Sequence, residues 1–213
     1  MSVLIVAVDG PAAAGKGTLA KALADVLGLP HLDTGLLYRA VARRMILEGL
    51  DPQRDDGEAL ARRLDQADLA RADLRVPEID RGASGVATQP GVRAALLQRQ
   101  RDFARASGGV IDGRDIGTVV FPDASVKLFV TASPRTRALR RFRQLHGDAP
   151  LSDAGLTALT DDIAARDRQD ETRPVSPLKR AEDAVVIETD ALDSAAVLAR
   201  ALEIVRASQD ETR

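Results

Sequence analysis

The chain has 213 residues, with 30 Lys and Arg against 32 Asp and Glu; the formal net charge of −2 gives no basic bias toward nucleic acid. Hydrophobic residues at 45% and charged residues at 29% are globular values, which exclude wholesale disorder and leave apolar surface for one sizeable core. With no cysteine there is no disulfide framework, no thiolate nucleophile and no Cys-ligated zinc, and His31 and His146 alone do not make a histidine-rich metal site.

The longest strongly apolar stretch, Val3 to Val8, is far shorter than a membrane span, and it follows Met1 without the basic head of a signal peptide. A soluble cytoplasmic protein is expected, with no membrane and no nucleic-acid partner. Five aromatic residues (Tyr38, Phe103, Phe121, Phe129 and Phe142) are too few for a base-stacking platform. The basic residues are 26 arginines and four lysines, so planar forks suited to carboxylate and phosphate are abundant and position must decide which of them act.

Val3 to Val8 is apolar throughout and β-branched, the pattern of a strand covered on both faces in a parallel sheet; Asp9 and Gly10 end it. Leu19, Leu23, Val26 and Leu27 fall at helical spacing over 16–27, and Gly28 and Pro30 stop that helix. An extended piece, His31 to Asp33, leads to Thr34 as the expected N-cap of a helix over about 35–48. A helical pattern at 58–64 is followed by Pro77, Gly82, Gly85, Pro90 and Gly91, which read as turns or irregular segments.

A helix over about 92–106, a short buried strand at 110–112 and another at 127–131 come next. Pro134 suits the first position of an arginine-rich helix, and residues 146–150 form a turn. A helix then runs to about Glu171, followed by a strand at 185–187 and a last helix to about Ala207. The pentapeptide at 169–173 recurs at 209–213, too short to be a structural repeat. Strands alternating with helices imply an α/β fold: a parallel sheet of about five strands with helices on both faces.

Gly10-Pro11-Ala12-Ala13-Ala14-Gly15-Lys16-Gly17-Thr18 carries two glycines and a lysine between the first strand and the first helix. This is the phosphate-binding-loop arrangement, in which loop N–H groups and the positive end of the helix wrap polyphosphate oxygens while Lys16 supplies a point charge. Gly17, not Ser or Thr, follows the lysine, and Thr18 comes one place later. A guanine-switch protein is disfavoured because its base-reading motif needs asparagine, and the chain has none.

The G-K-G-T form resembles nucleoside monophosphate kinases. Leu32 to Arg39 and Asp112 to Asp123 resemble two signature segments of bacterial-type cytidylate kinases. Arg166-Asp167, Asp170, Arg173 and Pro177-Leu178 follow that family's C-terminal pattern, and Ala83-Ser84 with Val92-Arg93 its base-reading segment. By residue chemistry alone, Arg166, Asp170 and Arg173, spaced i, i+4 and i+7, share a helix face either as two cations around a carboxylate or as a surface ion-pair ladder. Arg114 and Asp115 follow a strand's C-terminal end, where open parallel sheets place ligands, or form a solvated loop pair. Arg39 and Tyr38 read equally as an exposed helix arginine and a core-edge aromatic.

The resemblance implies a single P-loop kinase domain over 1–213, with a small acceptor-binding insert at about 34–93 and a short lid at about 144–157. It implies transfer of the ATP γ-phosphoryl to CMP and dCMP, with ATP and Mg2+ required and the chain acting as a monomer. Lys16, Arg114, Arg173 and Arg39 are the implied catalytic set, and Gly10 to Thr18 with Arg137 and Arg141 hold ATP. Arg39, Arg114 and Arg173 take the monophosphate, Arg166 and Asp170 the sugar, and Ser84, Arg93 and Asp115 the base, with Thr34 and Tyr38 beside them. Thr18 and Asp112 are the candidate metal contacts. A carboxylate such as Asp115 suits the exocyclic amino group of cytosine and opposes the acceptor that uracil presents there.

The family's β insert is absent, since Asp73-Leu74-Arg75 passes almost directly to Ala83-Ser84. Two rival readings stand beside this one: a P-loop kinase for UMP, AMP or a non-nucleotide acceptor, and a catalytically silent nucleotide-binding protein.

Overall fold

The computed structural model describes residues 3–211, so the second pentapeptide copy extends outside the described residues. The chain divides into two compact units, Met1–His31 with Ser107–Arg213, and Leu32–Ala106.

The elements of the first unit follow the alternation read from the sequence. β1 (Ile5–Asp9) leads through the glycine loop into α1 (Lys16–Leu27), and β2 (His31–Asp33) begins where the unit boundary falls. The second unit then supplies α2 (Thr34–Leu47), α3 (Glu58–Arg62), α4 (Gln66–Leu69), a 3-10 turn (Ala72–Arg75), α5 (Pro77–Val86) and α6 (Pro90–Arg105). Back in the first unit come β3 (Gly109–Gly113), a π-helical turn (Ile116–Val120) and β4 (Val126–Thr131). They are followed by α7 (Pro134–His146), α8 (Asp153–Thr172), β5 (Val185–Glu188) and α9 (Ser194–Glu211).

The five strands form one parallel sheet in the order β2-β3-β1-β4-β5, the α/β architecture expected. Val6 and Val8 of β1, Val110 of β3, and Val126, Leu128 and Val130 of β4 pack against Leu19, Ala20 and Leu23 of α1 and Val197, Ala201 and Val205 of α9. Ala7 and Ile111, on the opposite face, are also fully buried, which explains why β1 reads as a continuous apolar run and not an alternation. In register, Asp9 of β1 stands beside Gly113 of β3. The loop that starts at Gly10 and the segment that starts at Arg114 therefore leave the sheet side by side, at its C-terminal edge.

Helix ends follow local chemistry. Gly28, at φ 64°, closes α1 with its N–H on the Ala24 carbonyl. Ser133 caps α7 by accepting the Thr136 N–H at 3.3 Å, with Pro134 in the first turn as expected. Asp33, not Thr34, is the N-cap residue of α2; Thr34 is already helical and only 4% exposed. The last helix extends past Ala207 to Glu211.

The turns expected across 77–91 are instead two helices. Pro77 and Pro90 each open a helix, where a missing N–H is no loss. Gly82 and Gly85 lie inside α5 because the packing has no room for a side chain. A Cβ on Gly82 would stand 3.0 Å from the Ala42 Cβ, and one on Gly85 2.7 Å from the Pro52 carbonyl oxygen. α5 also occupies the region where the family's β insert was expected and found missing. Leu37, Val41, Met45, Leu74, Val86, Val92 and Leu96 form the separate apolar core of this second unit.

One buried carboxylate docks the π-helical turn onto the sheet. Asp9 Oδ1 and Oδ2 accept the N–H groups of Ile116 and Gly117 at 2.8 and 2.7 Å. Burial raises the Asp9 carboxyl to about 6, against the lowering effect of those two N–H groups. A folded value above the unfolded one means that the native state binds the extra proton. The associated stability is present below about pH 4 and lost as pH rises through 6, a swing of about 3 kcal/mol.

Two outcomes follow from this packing. Gly85→Ala, which by helix propensity alone gains about 1 kcal/mol, is expected to destabilise by about 1–3 kcal/mol through overpacking; urea denaturation checks the sign. In Asp9→Asn the acid-linked swing disappears. The stability deficit of the variant is therefore expected to be larger at pH 4.5 than at pH 7, by about 2 kcal/mol, when the two proteins are unfolded in parallel. An equal deficit at both values contradicts the assignment.

Candidate active site

The loop between β1 and α1 is shaped by contacts that admit few alternatives. Gly10 has φ 149°, and a Cβ there would lie 2.0 Å from the Val130 carbonyl oxygen of β4. Ala13 at φ 59° and Gly15 at φ 91° both adopt left-handed backbone, which costs a non-glycine residue such as Ala13 roughly 1 kcal/mol. Pro11, Ala12 and Ala14 complete the curve, and Lys16, only 7% exposed, turns its Nζ back to donate to the Pro11 carbonyl at 3.1 Å. Gly17 and the exposed Thr18 open the first turn of α1.

Side chains far away in sequence hold this backbone from outside. Arg137 of α7 donates through Nε to the Ala132 carbonyl at 2.9 Å and through Nη1 to the Ala12 carbonyl at 3.3 Å. Its two Nη groups also grip Asp167 of α8, Nη1 to Oδ1 at 2.9 Å and Nη2 to Oδ2. At 3% exposure Arg137 is an interior fork between α7, α8 and the loop. Arg140 donates to the Thr189 hydroxyl and carbonyl at 2.8 and 2.6 Å, and the one Thr189 hydroxyl proton is shared between the Thr131 carbonyl at 3.2 Å and the Ala14 carbonyl at 3.3 Å. Arg141 is half-buried and bonds Gln144 at 3.1 Å. Ala13 packs against the small cluster of Ala138, Leu156 and Ile163 that joins α7 to α8.

Beyond β3, Arg114 and Asp115 enter a buried charge cluster. Arg114 Nε donates to Asp170 Oδ2 at 2.9 Å. The Arg173 guanidinium lies 3.7 Å from Asp170 Oδ1 and 3.9 Å from Asp115 Oδ1. Asp115, Asp170 and Arg173 are 5%, 8% and 6% exposed, so this is neither a surface ladder nor a solvated loop pair. Burial pushes the Asp170 carboxyl up, but Arg114, Arg166 and Arg173 outweigh it and hold the group below the usual carboxylate range. Arg173 is not on the helix face that its spacing suggested. α8 ends at Thr172, and the extended backbone of Arg173 brings its guanidinium back toward Asp170.

Asp112, on β3, places Oδ1 2.7 Å from His31 Nε2, where the carboxylate accepts the ring N–H. Its Oδ2 lies 3.7 Å from where a Cβ of Gly17 would stand, so the carboxylate borders the start of α1. Among the described residues no group of three or more His, Cys, Asp or Glu is arranged to hold a metal.

The remaining expected residues lie in the second unit. Arg39 of α2 donates through Nε to Asp80 Oδ1 at 2.7 Å, and its Nη1 lies 2.7 Å from the Cβ position of Gly35. Glycine at 35 thus lets the guanidinium lie across the first turn of α2. Arg93 stacks over Tyr38, 5.4 Å from the ring centroid, and donates to the Ala87 carbonyl at 3.2 Å; both side chains are buried. Ser84, half-buried on α5, donates to the Asp80 carbonyl at 3.4 Å. Asp80 and Thr189 carry no motif in the sequence. Each acts through a partner 41 or more positions away, and no local spacing marks it.

Among the described residues no helix is long and apolar enough to cross a membrane. Comparison with known proteins agrees with the geometry. A cytidylate kinase from Acidiphilium cryptum (strain JF-5) is 53% identical over 205 residues, 95% of each chain. One from Granulibacter bethesdensis is 55% identical over 204 residues, 95% of this chain and 97% of the relative. A gluconokinase structure from Sinorhizobium meliloti 1021 shares the fold, with a TM-score of 0.52 at 16% identity over 98% of this chain and 95% of that one. The family model for cytidylate kinase matches residues 6–207. The phosphate loop and the guanidinium–carboxylate cluster thus stand in a chain that belongs to the cytidylate kinase family.

Proposed function

We propose that this protein transfers the γ-phosphoryl group of ATP to a phosphate oxygen of CMP or dCMP, giving ADP and CDP or dCDP. The observation that carries the reading is the register of β1 and β3, which sets the phosphate loop and the Arg114–Asp115 segment side by side at one edge of the sheet. A donor polyphosphate on the loop and an acceptor phosphate on the arginines are the two anions that the reaction brings into line.

The acceptor oxygen is already anionic, so no general base is required, and the chemistry depends on position and neutralised charge. Lys16 serves the β and γ phosphates together with the N–H groups of residues 12–18. Arg114 and Arg173, with Arg39 in the second unit, serve the acceptor phosphate. Arg166 and Asp170 hold the sugar, Ser84, Arg93 and Asp115 read the base, and Thr34 and Tyr38 also serve the acceptor. Arg137 and Arg141 of α7 serve the donor nucleotide, Arg137 from its place against the loop backbone.

The exposed Thr18 hydroxyl and the Asp112 carboxylate are hard oxygen donors at the head of α1, which suits Mg2+ held by one or two side chains and substrate phosphates. When bound it supplies positive charge to the β and γ oxygens. The reading takes the protein as a cytoplasmic monomer.

A coupled ADP-release assay across nucleoside monophosphates tests it. CMP and dCMP are expected to exceed AMP and GMP by about 100-fold or more in kcat/KM, and Asp115→Ala to narrow the CMP:UMP ratio more than it weakens ATP binding. Equal turnover of AMP, or an unchanged CMP:UMP ratio in the variant, contradicts the assignment.

A further inference from the structure

Three arginines of α2 meet carboxylates through their Nε atoms: Arg39 with Asp80 at 2.7 Å, Arg43 with Asp73 at 2.8 Å and Arg44 with Asp68 at 2.8 Å. The Arg43 partner is a surface group, its side chain 49% exposed, and such pairs contribute little. Asp80 differs, with a side chain only 7% exposed against 16% for Arg39. A carboxylate so removed from water is costly unless it is paired, and the Arg39 guanidinium lies within direct hydrogen-bond reach of it.

The geometry of that bond has a consequence for Arg39. Asp80 engages Nε, while Nη1 lies over the first turn of α2 at Gly35. The guanidinium plane is therefore held from its Nε edge and against the helix. Its Nη pair is the edge that a phosphate addresses, and a fork fixed in advance loses less rotamer freedom on binding. Ser84 bonds the Asp80 main-chain oxygen and not its carboxylate, so a substitution at Asp80 leaves that contact in place.

We propose that Asp80 is a positioning residue for the acceptor phosphate: it fixes the Arg39 fork so that the Nη edge is presented to the monophosphate. The inference rests on the assignment of Arg39 to that phosphate made above. Asp80 acts on the phosphate through Arg39.

Calorimetric binding of CMP, cytidine and ATP to the wild type, Asp80→Ala and Asp80→Asn tests it. Asp80→Ala is expected to weaken CMP about tenfold, the scale of one charge-assisted contact, while cytidine and ATP stay within about twofold. Asp80→Asn keeps an acceptor for the Nε–H and is expected to fall between wild type and Asp80→Ala. In an Arg39→Ala background, Asp80→Ala is expected to add no further loss. CMP affinity that is unchanged or improved in Asp80→Ala overturns the inference, as does a parallel loss of CMP and cytidine, which would mark a merely structural role. Should the alanine variant fail to fold, Asp80→Asn carries the test: a loss of about threefold or more confined to CMP supports the inference, and wild-type affinity overturns it. A wild-type protein that binds ATP but not CMP strikes at the functional reading itself, and is told apart from these outcomes by the wild-type titration.

Discussion

Everything at the candidate site depends on where the carbonyls of the phosphate loop point. Arg137 and the Thr189 hydroxyl take the Ala12 and Ala14 carbonyls from outside the loop. In a planar trans peptide the N–H lies opposite the C=O, and the chain has no cis peptide bonds among the described residues. The N–H of Ala13 is thereby aimed away from Arg137 and that of Gly15 away from Thr189, leaving both turned from the groups that hold the loop. Left-handed backbone at Ala13 and Gly15 is the conformational cost of that aim, and packing of Ala13 against the α7–α8 cluster offsets part of it. A donor array held in this way need not reorganise when a polyphosphate arrives, which is the condition for strong electrostatic stabilisation.

The same economy of paired charge recurs in each unit. In the first, Asp170 stands among Arg114, Arg166 and Arg173, and its ionised state is secured by them against burial. In the second, Asp80 faces Arg39, and Arg93 rests on the Tyr38 ring. Guanidinium groups left loose at the surface are flexible and hydrated; these are held by carboxylates, carbonyls and an aromatic face before any substrate binds. The cation excess appropriate to a phosphate ester is thus local, while the whole chain remains slightly acidic.

Much of this was legible in the sequence because it is written in short range. A continuous β-branched run, two glycines, a lysine and an amphipathic helix specify β1, the loop and α1 without reference to anything distant. The misreading at 77–91 has a physical cause: proline and glycine signal breaks when nothing is known of packing. Pro77 and Pro90 instead start helices, and Gly85 answers to the Pro52 carbonyl, a neighbour 33 positions away in sequence. Arg173 was placed on the helix by spacing, yet the chain turns extended at that residue and still delivers its guanidinium to Asp170. Asp9, Asp80 and Thr189 carry no local signature, since each is defined by a partner brought to it by the fold.

The most direct measurement is calorimetric titration of ATP and of CMP into Lys16→Ala beside the wild type. A loop that cradles the donor polyphosphate predicts that ATP affinity falls by about tenfold or more, while CMP affinity stays within about threefold. ATP affinity that survives the substitution unchanged, or a loss shared equally by the two nucleotides, contradicts the placement of the donor phosphates on that loop.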